Sequence, residues 1–282
     1  MVVDAQGNAA VAVQRATHSD LLENLARIGF VALGVLHVLI GWLALQLAWF
    51  GGGGKSADQA GAFSAVADLP GGQAILWILG IGLFALALWQ AAEVFRWKSG
   101  LSVGGDVRKK AIGRIVKSVS KVVIYVVLGV LAIRTASGGQ QSSSQSQEQT
   151  TQGVFGLPGG QFLVGLAGLI IVGVGVYHVY KGWTKKFLEG VDLSQASLAS
   201  RKAVIRLGQI GYPAKGVALM VVGGLLTWAA VTFDPKKASG LDGALRTVNE
   251  APFGKVLLTL IALGLVAFGV FCFFRARHPE RT

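Results

Sequence analysis

Six long apolar segments dominate the pattern of this chain, and polar or glycine-rich stretches separate them. A helix that crosses about 30 Å of hydrocarbon needs about 20 apolar residues, whereas a strand of a membrane barrel is about half as long and alternates. The pattern therefore predicts an all-α integral membrane protein with six transmembrane helices. The predicted helices lie at roughly 28–50, 72–95, 116–136, 160–180, 211–232 and 255–274.

The composition agrees with a membrane chain. The 282 residues are 52% hydrophobic and only 14% charged, with a mean hydropathy of +0.58. Soluble domains carry about 25% charged residues. The single cysteine, Cys272, excludes an internal disulfide and a cysteine-based metal site. We expect no signal peptide over residues 1–24, because that segment has no apolar core of the required length.

Lys and Arg residues are concentrated in every second connection between the apolar segments. The chain has 26 Lys and Arg against 14 Asp and Glu. Twenty of these bases fall in the two terminal segments and the 96–121 and 181–215 connections, and six fall on the opposite side. Lys and Arg accumulate in cytoplasmic loops. The chain is therefore predicted to be a multi-pass membrane protein, with both termini cytoplasmic and a basic face toward anionic lipid head groups.

Three related strings precede the second, fourth and sixth segments, which indicates internal repeats. Their prolines are 88 and 94 residues apart. Proline suits the first position of a helix, and the glycine that follows permits a close turn. The strings are Leu69-Pro70-Gly71-Gly72-Gln73, Leu157-Pro158-Gly159-Gly160-Gln161 and Ala251-Pro252-Phe253-Gly254-Lys255.

Each repeat contains two helices, so all repeats share one orientation. This predicts three parallel two-helix repeats around a pseudo-threefold axis along the membrane normal. Short interfacial helices are expected at 17–26, 106–115 and 191–207, which mix apolar and basic residues. The polar, low-complexity stretch 138–152 predicts a flexible external loop. The predicted boundaries are a cytoplasmic N-terminal tail over 1–24, repeat 1 over 25–96, repeat 2 over 97–182, repeat 3 over 183–276 and a cytoplasmic C-terminal tail over 277–282.

Small residues recur at intervals of seven within the apolar segments. In lipid, small residues let helix backbones approach closely, and a seven-residue period favours a left-handed crossing near +20°. We therefore predict that one small-residue seam runs through the helix contacts. The glycines of this seam are Gly34 and Gly41, Gly129, Gly168 and Gly175, and Gly216 and Gly223.

With these repeats and the string Gly211-Tyr212-Pro213-Ala214-Lys215-Gly216, the chain resembles the bacterial membrane family called domain of unknown function 1206. The resemblance covers about residues 25–278 and is most specific in repeat 3. Repeat 2 departs from it at residues 117–122, and repeat 1 has Leu33 where the lysine would stand. The resemblance implies three tandem two-helix transmembrane repeats in the bacterial cytoplasmic (inner) membrane. It implies no activity, so it supplies no catalytic residues.

Ionisable side chains inside membrane helices are costly and are often functional. His37 could relay protons or bind a metal or haem, but a hydrogen bond within the helix packing is the interpretation we favour. The repeats place four bases and one carboxylate in an inner ring. This ring could attract an anion or a lipid phosphate, although snorkelling to water is the simpler interpretation. The candidate polar intramembrane site comprises His37, Glu93, Lys121, His178, Lys181, Lys215 and Arg275.

Signatures of common enzymes are missing from the sequence, including GxSxG, HExxH and paired aspartates. The string 51–56 ends in Gly-Lys-Ser, but it follows a membrane helix and not a buried strand. We expect no catalytic residue, metal, cofactor or nucleic-acid partner. The favoured function is a non-catalytic scaffold or accessory of a membrane complex, in contact with the bilayer and with another membrane protein. The alternative is a small solute, ion or proton permeation module with a polar path between the three hairpins.

Overall fold

The computed structural model describes residues 3–52, 54–98, 105–139, 143–194 and 197–278. In this part of the chain the architecture is all-helical, as predicted, with two short 3₁₀ turns at Lys186–Gly190 and Pro235–Lys237. The α-helices are α1 Val3–Phe50, α2 Gln59–Ala67, α3 Gly72–Lys98, α4 Gly105–Ala136, α5 Ser143–Phe155, α6 Gly160–Trp183, α7 Leu198–Thr232, α8 Leu241–Glu250 and α9 Gly254–Arg277.

Five of the described helices are long and apolar enough to cross a membrane by length and composition. Helix α3 adds a shorter apolar stretch, Gly72–Leu88. The chain therefore has the helices of a multi-pass membrane protein, and the sixth span stays a prediction. The five spans are Arg27–Phe50, Ala111–Ala136, Gly160–Trp183, Leu198–Thr232 and Gly254–Arg277.

The chain divides into two compact units. Unit 1 is Met1–Gln59 with Ser143–Thr282, and unit 2 is Ala60–Ser142. In unit 2, α3 packs along α4. In unit 1, α6 packs along α7, α1 packs along α9, and α7 also contacts α9. Each of the three closest pairs thus joins the second helix of one repeat to the first helix of another.

Glycines lie where these pairs meet, and the α6–α7 pair is the clearest case. A Cβ added at Gly223 would lie 2.7 Å from the backbone oxygen of Gly168, and one added at Gly216 would lie 2.6 Å from that of Gly175. Both distances are too short for a side chain, so the two backbones are in direct contact. Such contact replaces the hydrophobic driving force that lipid does not supply.

Glycines also lie at the contacts of the other two pairs, with backbone approaches that are equally close in α1–α9 and looser in α3–α4. A Cβ at Gly34 would lie 2.9 Å from the backbone oxygen of Gly269, and a Cβ at Gly41 would lie 2.8 Å from that of Ala262, both on α9. In unit 2, a Cβ at Gly129 would lie 3.4 Å from the backbone oxygen of Gly80. The seven-residue series therefore lies at contacts between helices of different repeats.

A short helix precedes each proline string, and this was not predicted. For α5 the structure corrects the expectation of a flexible loop over 138–152, because the chain is helical from Ser143. Thr151 is buried, and Val154 and Phe155 pack on the end of α7 and the first turns of α6. The Phe155 ring also stacks on Phe233 at 4.8 Å. The surrounding Ser and Gln residues hid this helical spacing.

The proline strings form the same turn three times. Gly71, Gly159 and Phe253 have φ values of 76°, 74° and 60°, in the left-handed region. The next residue is a glycine each time, and a Cβ at Gly160 would collide with the carbonyl oxygen of Val154. The second glycine is therefore required for steric reasons, and it begins the next long helix.

The predicted short interfacial helices are wrong. Segments 17–26 and 106–115 are continuous with α1 and α4, and α7 begins at Leu198, after the N-cap Ser197. Neither α1 nor α4 has a proline that would stop the helix at the membrane boundary. Helix α7 does contain Pro213, but the proline ring packs on Gly182 of α6 and the helix continues through it.

Candidate functional site

The structure describes six of the seven candidate side chains, and they belong to two separate units. Five lie in unit 1: His37 on α1, His178 and Lys181 on α6, Lys215 on α7 and Arg275 on α9. Lys121 lies on α4 in unit 2. Glu93 lies on α3, and its side chain is outside the described residues. The carboxylate of the predicted ring is therefore not placed.

An aromatic cluster forms the centre around which the five unit 1 residues lie. Tyr212 of α7 is only 4% exposed. Its ring stacks on Phe187 at 5.3 Å and meets Phe268 and Phe271 of α9 edge-on at 5.1 and 5.4 Å. Edge-on and offset contacts between rings are favourable because the positive edge meets the negative face. This cluster fixes α7 against α9.

Cationic side chains lie over the faces of these and neighbouring rings. The Nζ atom of Lys215 is 4.4 Å from the centroid of Phe268, and that of Lys181 is 5.3 Å from Tyr212. The guanidinium of Arg275 is 4.4 Å from the ring of Phe30 on α1. A cation within about 6 Å of a ring centroid is attracted by the ring quadrupole.

Arg275 occupies a narrow space. A Cβ added at Gly190 would lie 2.6 Å from a terminal nitrogen of the guanidinium, so the guanidinium packs directly on this glycine. Its Nε atom is buried and has no hydrogen-bond partner among the described residues. The Arg275 side chain is therefore held by packing and by the Phe30 ring, while its Nε–H group has no acceptor among the described residues.

The two membrane histidines bond to their own helices. His37 is 8% exposed, and its Nδ1 donates to the carbonyl oxygen of Leu33 at 2.8 Å. The Nδ1 of His178 donates to that of Val174, also at 2.8 Å. His37 packs on Phe268, with ring centroids 4.7 Å apart. This geometry supports a packing role for both rings.

The electrostatic neighbours of the five residues are mostly other bases. Lys215 acts on both histidines, and Lys181 acts on His178. Arg275 acts on Lys181, and so does the carboxylate of the exposed Glu189. The interior of unit 1 is therefore rich in cations. In the described part of the chain, no three His, Cys, Asp or Glu side chains lie in a group that could hold a metal ion.

Several residues that shape the site were missed from the sequence. Phe187 is buried yet lies in a short turn between α6 and α7, where no apolar period marks it. Phe30 and Phe268 could not be separated from the many lipid-facing aromatic residues. Tyr212 could have been found, since it is part of the glycine string of repeat 3.

A second buried polar contact lies at the opposite end of the bundle. Asp242, near the start of α8, is 6% exposed. Its carboxylate accepts hydrogen bonds from the backbone N–H of Ala57 at 2.7 Å and from Nε of Arg246 at 2.8 Å. This contact ties the connection after α1 to α8 and was not predicted.

Comparison with known proteins identifies the family. The model of the family Domain of Unknown Function (DUF1206) matches residues 28–96, 116–185 and 210–278. The chain belongs to this family. The three matches confirm the predicted resemblance and its three tandem repeats.

This DUF1206 chain is also similar to a curated protein of Bacillus subtilis (strain 168) described as "Uncharacterized protein YxxB". The two are 27% identical over 262 residues, which cover 93% of this chain and 92% of the relative. No solved structure matches the chain. The family matches assign His37 and Glu93 to repeat 1, Lys121, His178 and Lys181 to repeat 2, and Lys215 and Arg275 to repeat 3.

Proposed function

We propose that this DUF1206 protein is a non-catalytic membrane protein that scaffolds or assists another membrane complex. The observation that supports this is the filled interior of unit 1, where glycine seams bring backbones together and the Tyr212 aromatic cluster closes the space between α7 and α9. A groove of about 340 Å³ between α6 and α7 is lined mainly by apolar side chains, among them Val179 and Met220. These features favour a packed, supporting role.

The membrane arrangement that goes with this role has six spans, both termini in the cytoplasm and a pseudo-threefold relation among the repeats. The charge pattern supports the orientation, because 20 of 26 bases lie on one side. Each closest helix pair joins the second helix of one repeat to the first helix of another, and this shared pattern supports a rotational symmetry among the three repeats. The proposed location is the bacterial inner membrane, and the proposed repeats are 25–96, 97–182 and 183–276.

The test of the scaffold role is site-specific photo-crosslinking in intact membranes. A photoreactive phenylalanine at Val127, which is 58% exposed on α4, should give a discrete adduct with another membrane protein. The matched control is Ala132 on the same helix, which is fully buried and should give no such adduct. Adducts with lipid alone at Val127 and at further exposed positions of α4 would contradict the proposal.

A second candidate function is permeation of protons or small ions. It is favoured by the three inward-placed groups His37, His178 and Lys215 on three different helices. The hydrogen bonds of both histidines to their own helices weaken this candidate, because a proton relay requires each titratable group to hydrogen-bond to the next one along the path. In a liposome flux assay, movement of protons, cations or anions above that of empty vesicles, lost in His37→Phe, would support permeation over the scaffold role.

A further inference from the structure

Three bases from three helices surround one aromatic cluster in unit 1. Lys181 and Arg275 lie in the last turns of α6 and α9, and Lys215 lies on α7. Lys181 lies over the ring of Tyr212, and Arg275 lies over the ring of Phe30 on α1. Lys215 lies over Phe268, which itself packs on Tyr212. Each of the three positive charges thus faces an aromatic ring.

No salt bridge joins these three bases to a carboxylate among the described residues. The carboxylate that acts on Lys181 is that of the exposed Glu189. The Nε of Arg275 is buried without a hydrogen-bond partner. A charge in a membrane interior is costly unless it is paired, and ring faces compensate only part of that cost.

We propose that Lys181, Lys215 and Arg275 form a binding site for a phosphate group, supplied by an acidic phospholipid of the adjoining leaflet. A guanidinium and two ammonium groups can donate charge-assisted hydrogen bonds to the non-bridging oxygens of a phosphate diester, whose single negative charge offsets part of their positive charge. This inference goes beyond the scaffold role and does not depend on it.

The experiment compares lipid binding by the purified full-length chain. The chain is incubated with equal mole fractions of phosphatidylglycerol and phosphatidylcholine, and retained lipid is counted by native mass spectrometry. Wild type should retain phosphatidylglycerol in preference. The double variant Lys181→Gln/Lys215→Gln should lose about tenfold in that preference, because two charge-assisted hydrogen bonds are removed. Both side chains are only partly buried, so their replacement by a polar amide should leave the fold intact.

The matched control is Lys255→Gln, which removes an exposed lysine at the opposite end of α9 and should leave the preference unchanged. A separate arm adds inorganic phosphate to chain in phosphatidylcholine alone. If inorganic phosphate raises the unfolding temperature of wild type and fails to do so in Lys215→Gln, the phosphate site is supported but its ligand is a soluble anion and not a lipid. Equal retention of both lipids without protection by phosphate, or an equal effect of Lys255→Gln, would overturn the proposal. The crosslinking experiment at Val127 tests the scaffold role separately, so the failure of one proposal does not imply the failure of the other.

Discussion

At the scale of single residues, buried polar groups in unit 1 are held by few but specific contacts. Asp242 is the most demanding case, because one carboxylate satisfies both a backbone N–H and a guanidinium. It also lies in the first turn of α8, where negative charge is favoured by the helix dipole. Removing it leaves a buried donor without a partner, which is usually more costly than the loss of a surface ion pair.

The first prediction concerns this carboxylate. Asp242→Ala should lower the free energy of unfolding by about 1–3 kcal/mol, because the Ala57 N–H and the Arg246 side chain lose their acceptor. The measurement is thermal or denaturant unfolding in mild detergent. Glu250→Ala on the same helix is the control, since Glu250 is exposed and should change stability by less than about 0.5 kcal/mol. Equal effects of the two substitutions would show that the Asp242 contact does not form.

The second prediction concerns the turn before α9. Phe253 adopts a φ of 60° where the other two strings have glycine. A left-handed conformation costs a residue with a Cβ roughly 1–2 kcal/mol. Glycine avoids this cost, but it also raises the conformational entropy of the unfolded chain, which offsets part of the gain in stability. Phe253→Gly should therefore stabilise the protein by up to about 1 kcal/mol, and Gly159→Ala should destabilise it by a similar amount. A loss of stability in Phe253→Gly would mean that the exposed ring contributes more than the strain costs.

The residues of the site were only partly predictable. Ionisable groups stand out in an apolar segment, so all seven candidates could be named from the sequence. Their ring partners could not, because the contacts of Phe268 and Phe30 depend on which helices pair. The predicted ring also joins Lys121 to Lys215, and because the two residues belong to separate units this part of the ring stays a prediction.

At the scale of helices, glycine contacts determine which surfaces meet. The α6–α7 pair is held by backbone contacts one full heptad apart, at Gly168 with Gly223 and at Gly175 with Gly216. The seven-residue period was visible in the sequence, but the identity of each partner was not, because every long helix carries a similar series. The short helices α2, α5 and α8 were also missed, since a helix of about ten residues gives a weak periodic signal.

The third prediction tests one seam with two adjacent residues. Gly223→Ala should destabilise the protein by about 1–3 kcal/mol, since its Cβ would lie 2.7 Å from both the Gly168 oxygen and the Val172 nitrogen. Gly224→Ala meets no atom within 4 Å and should be neutral or slightly stabilising through helix propensity. Unfolding midpoints in the same detergent give the comparison. A larger loss in Gly224→Ala would show that the helix is rotated relative to this structure.

At the scale of the whole molecule, the pairing of helices across repeats makes the repeats dependent on one another. Helix α1 of repeat 1 contacts α9 of repeat 3, and α6 of repeat 2 contacts α7 of repeat 3. A repeat taken alone would expose its glycine surfaces. The sequence predicted the number of repeats correctly because each proline string has a glycine two residues after its proline. It did not reveal which helices of different repeats pair, because the sequence of a single repeat does not identify its partner.

The fourth prediction tests how the chain crosses the membrane. In a Cys272→Ser background, single cysteines are placed at exposed positions on either side of α6, at Gln152 and Ala199. A membrane-impermeant maleimide added to spheroplasts should label Gln152→Cys at once and Ala199→Cys only after permeabilisation, because the basic connections are cytoplasmic. Labelling in the reverse order would invert the orientation, and labelling of both from one side would mean that α6 does not span.

The same assay decides whether α3 is the sixth span. Its apolar stretch, Gly72–Leu88, is shorter than those of the other five helices. Cysteines at Leu69 and Arg108 flank α3 at exposed positions. If α3 crosses, Leu69→Cys should react from outside and Arg108→Cys from the cytoplasm. Reaction of both from the cytoplasm would leave five spans and place the termini on opposite sides. That outcome would remove the common orientation of the repeats, on which the threefold proposal depends.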